Sequence, residues 1–395
     1  MNFRATLAVG VLVAASVAPG FAVEPAWAGS NDPCDVKAGL KNLPDLWPQK
    51  RLDYTRAWTV TRGAHVLVAV IDSGLNQQFD SQLQRMHERP GTDVIGGTFT
   101  ASDTRDCYGH GTEVTSIVAA APGSNNFSGV APDATVLPIK QTNTQGDKTG
   151  TSDGLARAID KAVDANAAVA NVSVTTPNDS PVLKAAVAHA ARRGMVIVAA
   201  AGNDGDAANQ PAYPAAYSTV FPNVIAVSAS DQNDQIAPFS ETGNYVTVAA
   251  PGVNVPAIAG RGGYSSASGT SFATPYVTGT VALLKAAFPS MSVARIRNRL
   301  IATADAPPAT VPDRTYGYGI VNPFLAVTTL RDDVPPLSPA ASTRLLPPLR
   351  AHTPPNHHTR TLALGSAAVL LGLAVLAMVG AAVLRGRRRT PAHSR

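Results

Sequence analysis

An α/β fold with a central, mostly parallel sheet and helices on both faces is predicted for residues 64–330 of this 395-residue chain. Two observations predict it. Short runs rich in Val, Ile and Ala alternate with segments whose apolar residues recur every three or four positions, the pattern of parallel strands joined by crossover helices. The runs are apolar on both phases of the strand period, so each strand is covered above and below and the layers number three.

Taken in order, the first strand is expected at 65–71, His65-Val-Leu-Val-Ala-Val-Ile71, and it ends at Asp72-Ser-Gly. A helix opens at His110, directly after Gly109. Further strands are expected at 135–140, 168–174, 195–200, 224–228 and 245–249, each short and aliphatic. Helices are expected at 152–165, 181–193, 270–288 and 292–302, where three- and four-residue apolar spacing holds.

The two ends have a different character. Arg4 precedes an apolar run over 5–18 and a small-residue site, Ala26-Trp27-Ala28, so residues 1–28 read as a secretory signal cleaved after Ala28. Residues 331–360 are rich in Pro, Ser, Thr and His and form an extended linker. His357 and His358 in it are read as a solvated pair. Residues 361–384 are 24 without a charge, enough to span hydrocarbon as one C-terminal transmembrane helix, and Arg385, Arg387, Arg388 and Arg389 follow at once. The positive-inside rule keeps the basic tail 385–395 in the cytoplasm and puts everything before residue 361 on the extracytoplasmic side of the cell membrane. Five arginines lie after Leu384, so the net charge of +5 falls to 5 − 5 = 0 without them. The basic balance is therefore a topology signal, and no nucleic-acid partner is expected.

The two cysteines, Cys34 and Cys107, reach an oxidising compartment in this topology, so a disulfide between them is expected, two unrelated buried thiols being the alternative. It would tie the N-terminal arm, 29–63, to the loop just ahead of His110.

Asp72 at a strand end, His110 after a glycine and Ser271 at a helix start supply an acid, a base and a nucleophile. A serine hydroxyl is a poor nucleophile at neutral pH; it needs an imidazole to take its proton and a carboxylate to orient that imidazole. The helix N-terminus at His110 is expected to keep the ring neutral. Ser271 at a helix start has a backbone N–H free to meet negative charge, and Pro275 is placed in that helix's first turn, where its missing N–H is harmless.

The segments Val68-Ala-Val-Ile-Asp72-Ser-Gly74, His110-Gly-Thr-Glu-Val and Gly269-Thr-Ser271-Phe-Ala-Thr-Pro275 resemble the three signatures of the subtilisin-type serine peptidases, in the same order. Ala199-Ala-Ala-Gly-Asn203 resembles a fourth, whose asparagine amide donates to the oxyanion in that family. The resemblance implies a subtilisin-like three-layer fold, serine endopeptidase activity on protein and peptide substrates, and an oxyanion hole at Asn203 and the Ser271 N–H. It also implies a peptide-binding segment at Ser173, Val174 and Thr175. Many subtilisins have a glycine where this chain has Thr175, and the added bulk predicts narrow specificity. No acidic loop has calcium-ligand spacing, and neither metal nor cofactor is expected. An esterase is the weaker reading, because Asp72, His110 and Ser271 follow in the order acid, base, nucleophile and not in the Ser, Asp, His order of esterases.

Signal, arm, peptidase domain, Pro-rich linker, single helix and basic tail together resemble the mycosins, membrane-anchored peptidases of type VII secretion systems. The stretch from Leu46-Trp47-Pro48 through Arg56-Ala-Trp58 to Thr61-Arg62-Gly63 does so too. That likeness implies processing of selected secreted proteins and partnership with the secretion membrane complex. A mainly structural role in that complex, with peptidase activity secondary, is the other reading.

Overall fold

The computed structural model describes residue 34 and residues 36–97, 104–143 and 151–329. The predicted signal, transmembrane segment and basic tail, and the linker predicted at 331–360, lie outside the described residues. Among those described, no helix is long and apolar enough to cross a membrane.

The strands are β1 Leu67–Asp72, β2 His87–Glu88, β3 Thr92–Asp93, β4 Thr135–Lys140, β5 Val169–Val172, β6 Val196–Ala200, β7 Val224–Ser230, β8 Val248–Pro251, β9 Val255–Ile258 and β10 Tyr264–Ala267. The helices are α1 Trp47–Leu52, α2 Ser81–Gln84, α3 His110–Ala119, α4 Ser152–Asp164, α5 Pro181–Arg192, α6 Thr270–Ala287, α7 Val293–Thr303 and α8 Pro323–Thr328. The main sheet runs β2-β4-β1-β5-β6-β7-β8, with β3 pairing a further stretch of β4, and its pairings are all parallel. β9 and β10 form a separate antiparallel pair.

Period two sorts the core into two layers. Val68 and Val70 of β1 join the cluster built with Val114, Ile117 and Val118 of α3 and with Val277 and Val281 of α6. Ala69 and Ile71 of the same strand face Leu155 and Ile159 of α4 and Leu183 and Val187 of α5. Each such Val, Ile or Leu, fully buried, contributes about 1.5 to 3 kcal/mol. Because the chain leaves β1 for β4 on one side and returns to β5 on the other, the carboxyl ends of β1 and β5 form a topological switch point. Crevices for ligands open at such points in parallel sheets.

The predicted strand at 135–140 coincides with β4. The one predicted at 168–174 ends early, because the backbone beyond Val172 leaves the ladder and Thr176 pairs instead with Tyr213. The one predicted at 245–249 is displaced to Val248–Pro251. Tyr245 and Val246 are buried for a different reason: they join the core cluster that holds Ala201, Ala215 and Tyr217, and the Tyr245 hydroxyl donates to the Ala201 carbonyl at 3.2 Å.

The arm is built into the body. Leu40 bridges Tyr264 of β10 in antiparallel fashion. Trp47 Nε1 donates to the Asn254 carbonyl at 3.2 Å, and the buried Tyr54 hydroxyl donates to the Ser128 carbonyl at 2.9 Å. Arg51 pairs with Asp234 at 2.7 Å and with Asp305 at 2.9 Å. Cys34 is bonded to Cys107 across 73 positions. Closing a loop of that length contributes about 4 kcal/mol in the chain-entropy account.

Candidate active site

Asp72 is the last residue of β1, at the carboxyl edge of the sheet; its side chain is 1% exposed. His110 is the first residue of α3, which crosses the same face, and Ser271 is the second residue of α6. The three meet. His110 Nδ1 lies 2.8 Å from Asp72 Oδ1, and its Nε2 lies 2.9 Å from Ser271 Oγ. A carboxylate can only accept, so Nδ1 carries a proton, and in the neutral ring Nε2 is left to accept from the serine hydroxyl. The Ser73 N–H also donates to Asp72 Oδ1, at 2.8 Å. Phe272 meets the imidazole edge-on at 5.0 Å between centroids and Tyr108 stacks on it at 5.8 Å, so the ring is held from two sides.

Burial acts against the imidazolium of His110, but the charge and hydrogen bond of Asp72, joined by the charges of Glu113 and Asp106, outweigh it and push the ring up to about 9. The expectation that the helix N-terminus holds the ring neutral is thereby corrected: three carboxylates face a single helix end. Burial in turn pushes Glu113 above the usual carboxylate range.

Asn203 follows β6 in a short loop. Its Oδ1 accepts from the Thr270 backbone N–H at 2.8 Å and from the Thr270 hydroxyl at 2.9 Å. Both acceptances fix the amide, turning its NH₂ end towards Ser271. The space between is kept open by Gly269, where a Cβ would sit 3.0 Å from Ser271 Oγ and 3.6 Å from Asn203 Nδ2. An anion forming there has the amide on one side and the Ser271 N–H, in the first turn of α6, on another. Thr270 is a residue that motif reading missed. It stands inside Gly-Thr-Ser, but its effect is visible only once Asn203 is folded against it.

Pro275 is the sixth residue of α6, not part of its first turn, and this overturns the expectation for it. A proline there denies the Ser271 carbonyl its helical donor four residues on. The hydroxyl of Ser173 replaces that donor, reaching the Ser271 carbonyl at 2.8 Å. Ser173 is held by Asn171 Nδ2 at 2.9 Å, and Asn171 Oδ1 accepts from Thr278 of α6 at 2.8 Å. Ser173, Val174 and Thr175 are all buried, so the segment forms a wall beside the nucleophile.

Residues 63–319 match the family described as the subtilase family, Peptidase S8. Subtilisin Savinase of Lederbergia lenta is 38% identical over 260 residues, which are 66% of this chain and 90% of that protein. Mycosin-4 of Mycobacterium tuberculosis is 35% identical over 383 residues, covering 85% of this chain and 81% of that protein. A crystal structure of MycP1 with its N-terminal propeptide removed superposes with a TM-score of 0.65 at 32% identity, covering 74% of this chain and 99% of that one. MycP1 has also been solved as a protein from the ESX-1 type VII secretion system, and it is 30% identical to this chain.

Proposed function

The chain belongs to the subtilase family as a subtilisin-like serine endopeptidase similar to mycosins, and from that premise we propose that it cuts selected protein substrates at the outer face of a membrane, using Asp72, His110 and Ser271. The observation that carries the catalytic assignment is the pair of hydrogen bonds at 2.8 and 2.9 Å that sets His110 between the other two groups. Ser271 Oγ attacks the scissile carbonyl carbon while its proton passes to His110 Nε2. The oxyanion is met by Asn203 Nδ2 and the Ser271 N–H. When the C–N bond breaks, Nε2 returns the proton to the leaving amine, and an ester to Ser271 remains. A water, deprotonated by the same nitrogen, then attacks the ester, and as its C–O bond breaks Nε2 hands the proton back to Ser271 Oγ and the carboxylic acid product leaves. The substrate lies extended along Ser173, Val174 and Thr175, and the side chain of Thr175 narrows the choice of residue before the cut.

A fluorophosphonate probe is expected to label the detergent-solubilised wild-type chain at Ser271. For Asn203→Leu, peptide hydrolysis is expected to fall by about 10²- to 10³-fold, the scale reported for this donor in a subtilisin. Labelling elsewhere, or an undiminished rate in the variant, would remove the assignment.

The membrane role rests on residues 361–384 and the arginines after them, together with the likeness to mycosins over 85% of the chain. One helix anchors the protein, the Pro-rich linker holds the peptidase outside the cell, and components of a type VII secretion complex are its partners. Alkaline extraction should leave the full chain in the membrane pellet; its release into the supernatant would refute the anchor.

A further inference from the structure

α3 starts behind Gly109, whose φ of 95° suits a residue without Cβ and which offers the helix no capping side chain. The first turn still presents N–H groups that need acceptors. Asp106, four residues ahead of the imidazole and 1% exposed, accepts from several donors there. Its Oδ1 accepts from the N–H of Tyr108 at 3.0 Å and of Gly109 at 2.7 Å. Its Oδ2 accepts from the N–H and the hydroxyl of Thr112, at 2.8 and 2.7 Å. A fifth donor is the Ser73 hydroxyl, 2.8 Å from Oδ1. That hydroxyl also accepts from the Gly111 N–H at 2.9 Å. One carboxylate thus ties the turn that presents His110 to the residue next to Asp72.

Burying a carboxylate is costly unless donors surround it, and here they do, at the positive end of α3. The charged groups facing the imidazole are Asp72 from β1, Glu113 from α3 itself and Asp106 from the preceding loop. Ser271 of α6 faces it as a neutral hydroxyl. Lys140, at the end of β4, reaches the same loop but donates to the Arg105 carbonyl at 2.6 Å.

We infer that Asp106 is a positioning residue: through the turn 106–112 and Ser73 it fixes the imidazole between Asp72 and Ser271, and its charge favours the imidazolium that forms when the serine gives up its proton. The kinetic consequence rests on the peptidase reading; the effect on the ring does not.

The test uses the full chain in detergent micelles, with ¹⁵N-labelled histidine and NMR titration alongside peptide hydrolysis. In Asp106→Asn the titration midpoint of His110 is expected to fall by about half a pH unit or more. The same variant is expected to lose about 10- to 100-fold in kcat with KM nearly constant. A folded variant whose His110 midpoint does not move overturns the inference, whatever its rate. If wild type neither hydrolyses peptide nor takes a fluorophosphonate, yet the midpoint still falls in the variant, the peptidase reading fails and the hold of Asp106 on the ring stands. Should Asp106→Asn not fold, Ser73→Ala decides. Broadening of the Nδ1–H resonance of His110 supports the inference, and a sharp, unchanged resonance overturns it.

Discussion

Ser271→Ala should leave the fold intact and remove almost all peptidase activity. In subtilisins, loss of the nucleophile lowers kcat by about 10⁶-fold, and a loss of that order is expected here. The hydroxyl is small and replaceable in packing terms: the backbone of Ser271 keeps its place through Ser173 and the first turn of α6, and Gly269 and Asn203 lose no partner. Unfolding by denaturant should therefore differ little between the two forms while single-turnover hydrolysis collapses. Hydrolysis within tenfold of wild type would refute the nucleophile. The same variant separates the two roles suggested by the likeness to mycosins. If secretion in a strain lacking the chain is restored by Ser271→Ala, the membrane complex needs the domain as a part; if it is not, it needs the cut.

The next largest effect is expected from Asp72→Asn, about 10⁴-fold in kcat with the geometry kept. An amide can present its NH₂ to Nδ1, which forces the ring proton onto Nε2, where it can no longer accept from Ser271. The pH behaviour follows from the raised His110. In wild type the ring is protonated below about 9, so kcat/KM should climb with pH from the ordinary 6.5 towards that value. Because its folded value lies above its unfolded one, His110 contributes stability that is fully present below about pH 6.5 and is lost as the pH rises through about 9. Without the carboxylate, burial dominates and the acid limb should move down. An acid limb unmoved in the variant would show that Asp72 does not govern the ring.

Much of this was legible in the chain. β4 and the cores of α4, α5 and α6 follow from aliphatic runs and helical spacing, because buried parallel strands and amphipathic helices carry those patterns without help from partners. Asp72, His110 and Ser271 were legible because each stands in a distinctive short context. The elements that escaped are those whose residues say little by themselves. β10 reads Tyr-Ser-Ser-Ala, β2 is only His87–Glu88, and α1 spans just Trp47–Leu52. Their places are set by what they lean on. Thr270 and Asp106 escaped for the same reason, since a hydrogen-bond acceptor or donor has no meaning until the fold supplies its partner. Pro275 was misread although the helix was expected from Thr270, because the sixth residue already lies in the second turn, where its missing N–H is felt at the Ser271 carbonyl.

The gap that Pro275 leaves in α6 has a mechanical result. The turn bearing Ser271 is fastened from outside, by the Ser173 hydroxyl on the segment proposed to hold the substrate. A shift of Ser173 is felt first at the Ser271 carbonyl, so under the proposed reading docking and the nucleophile's turn meet at one hydrogen bond.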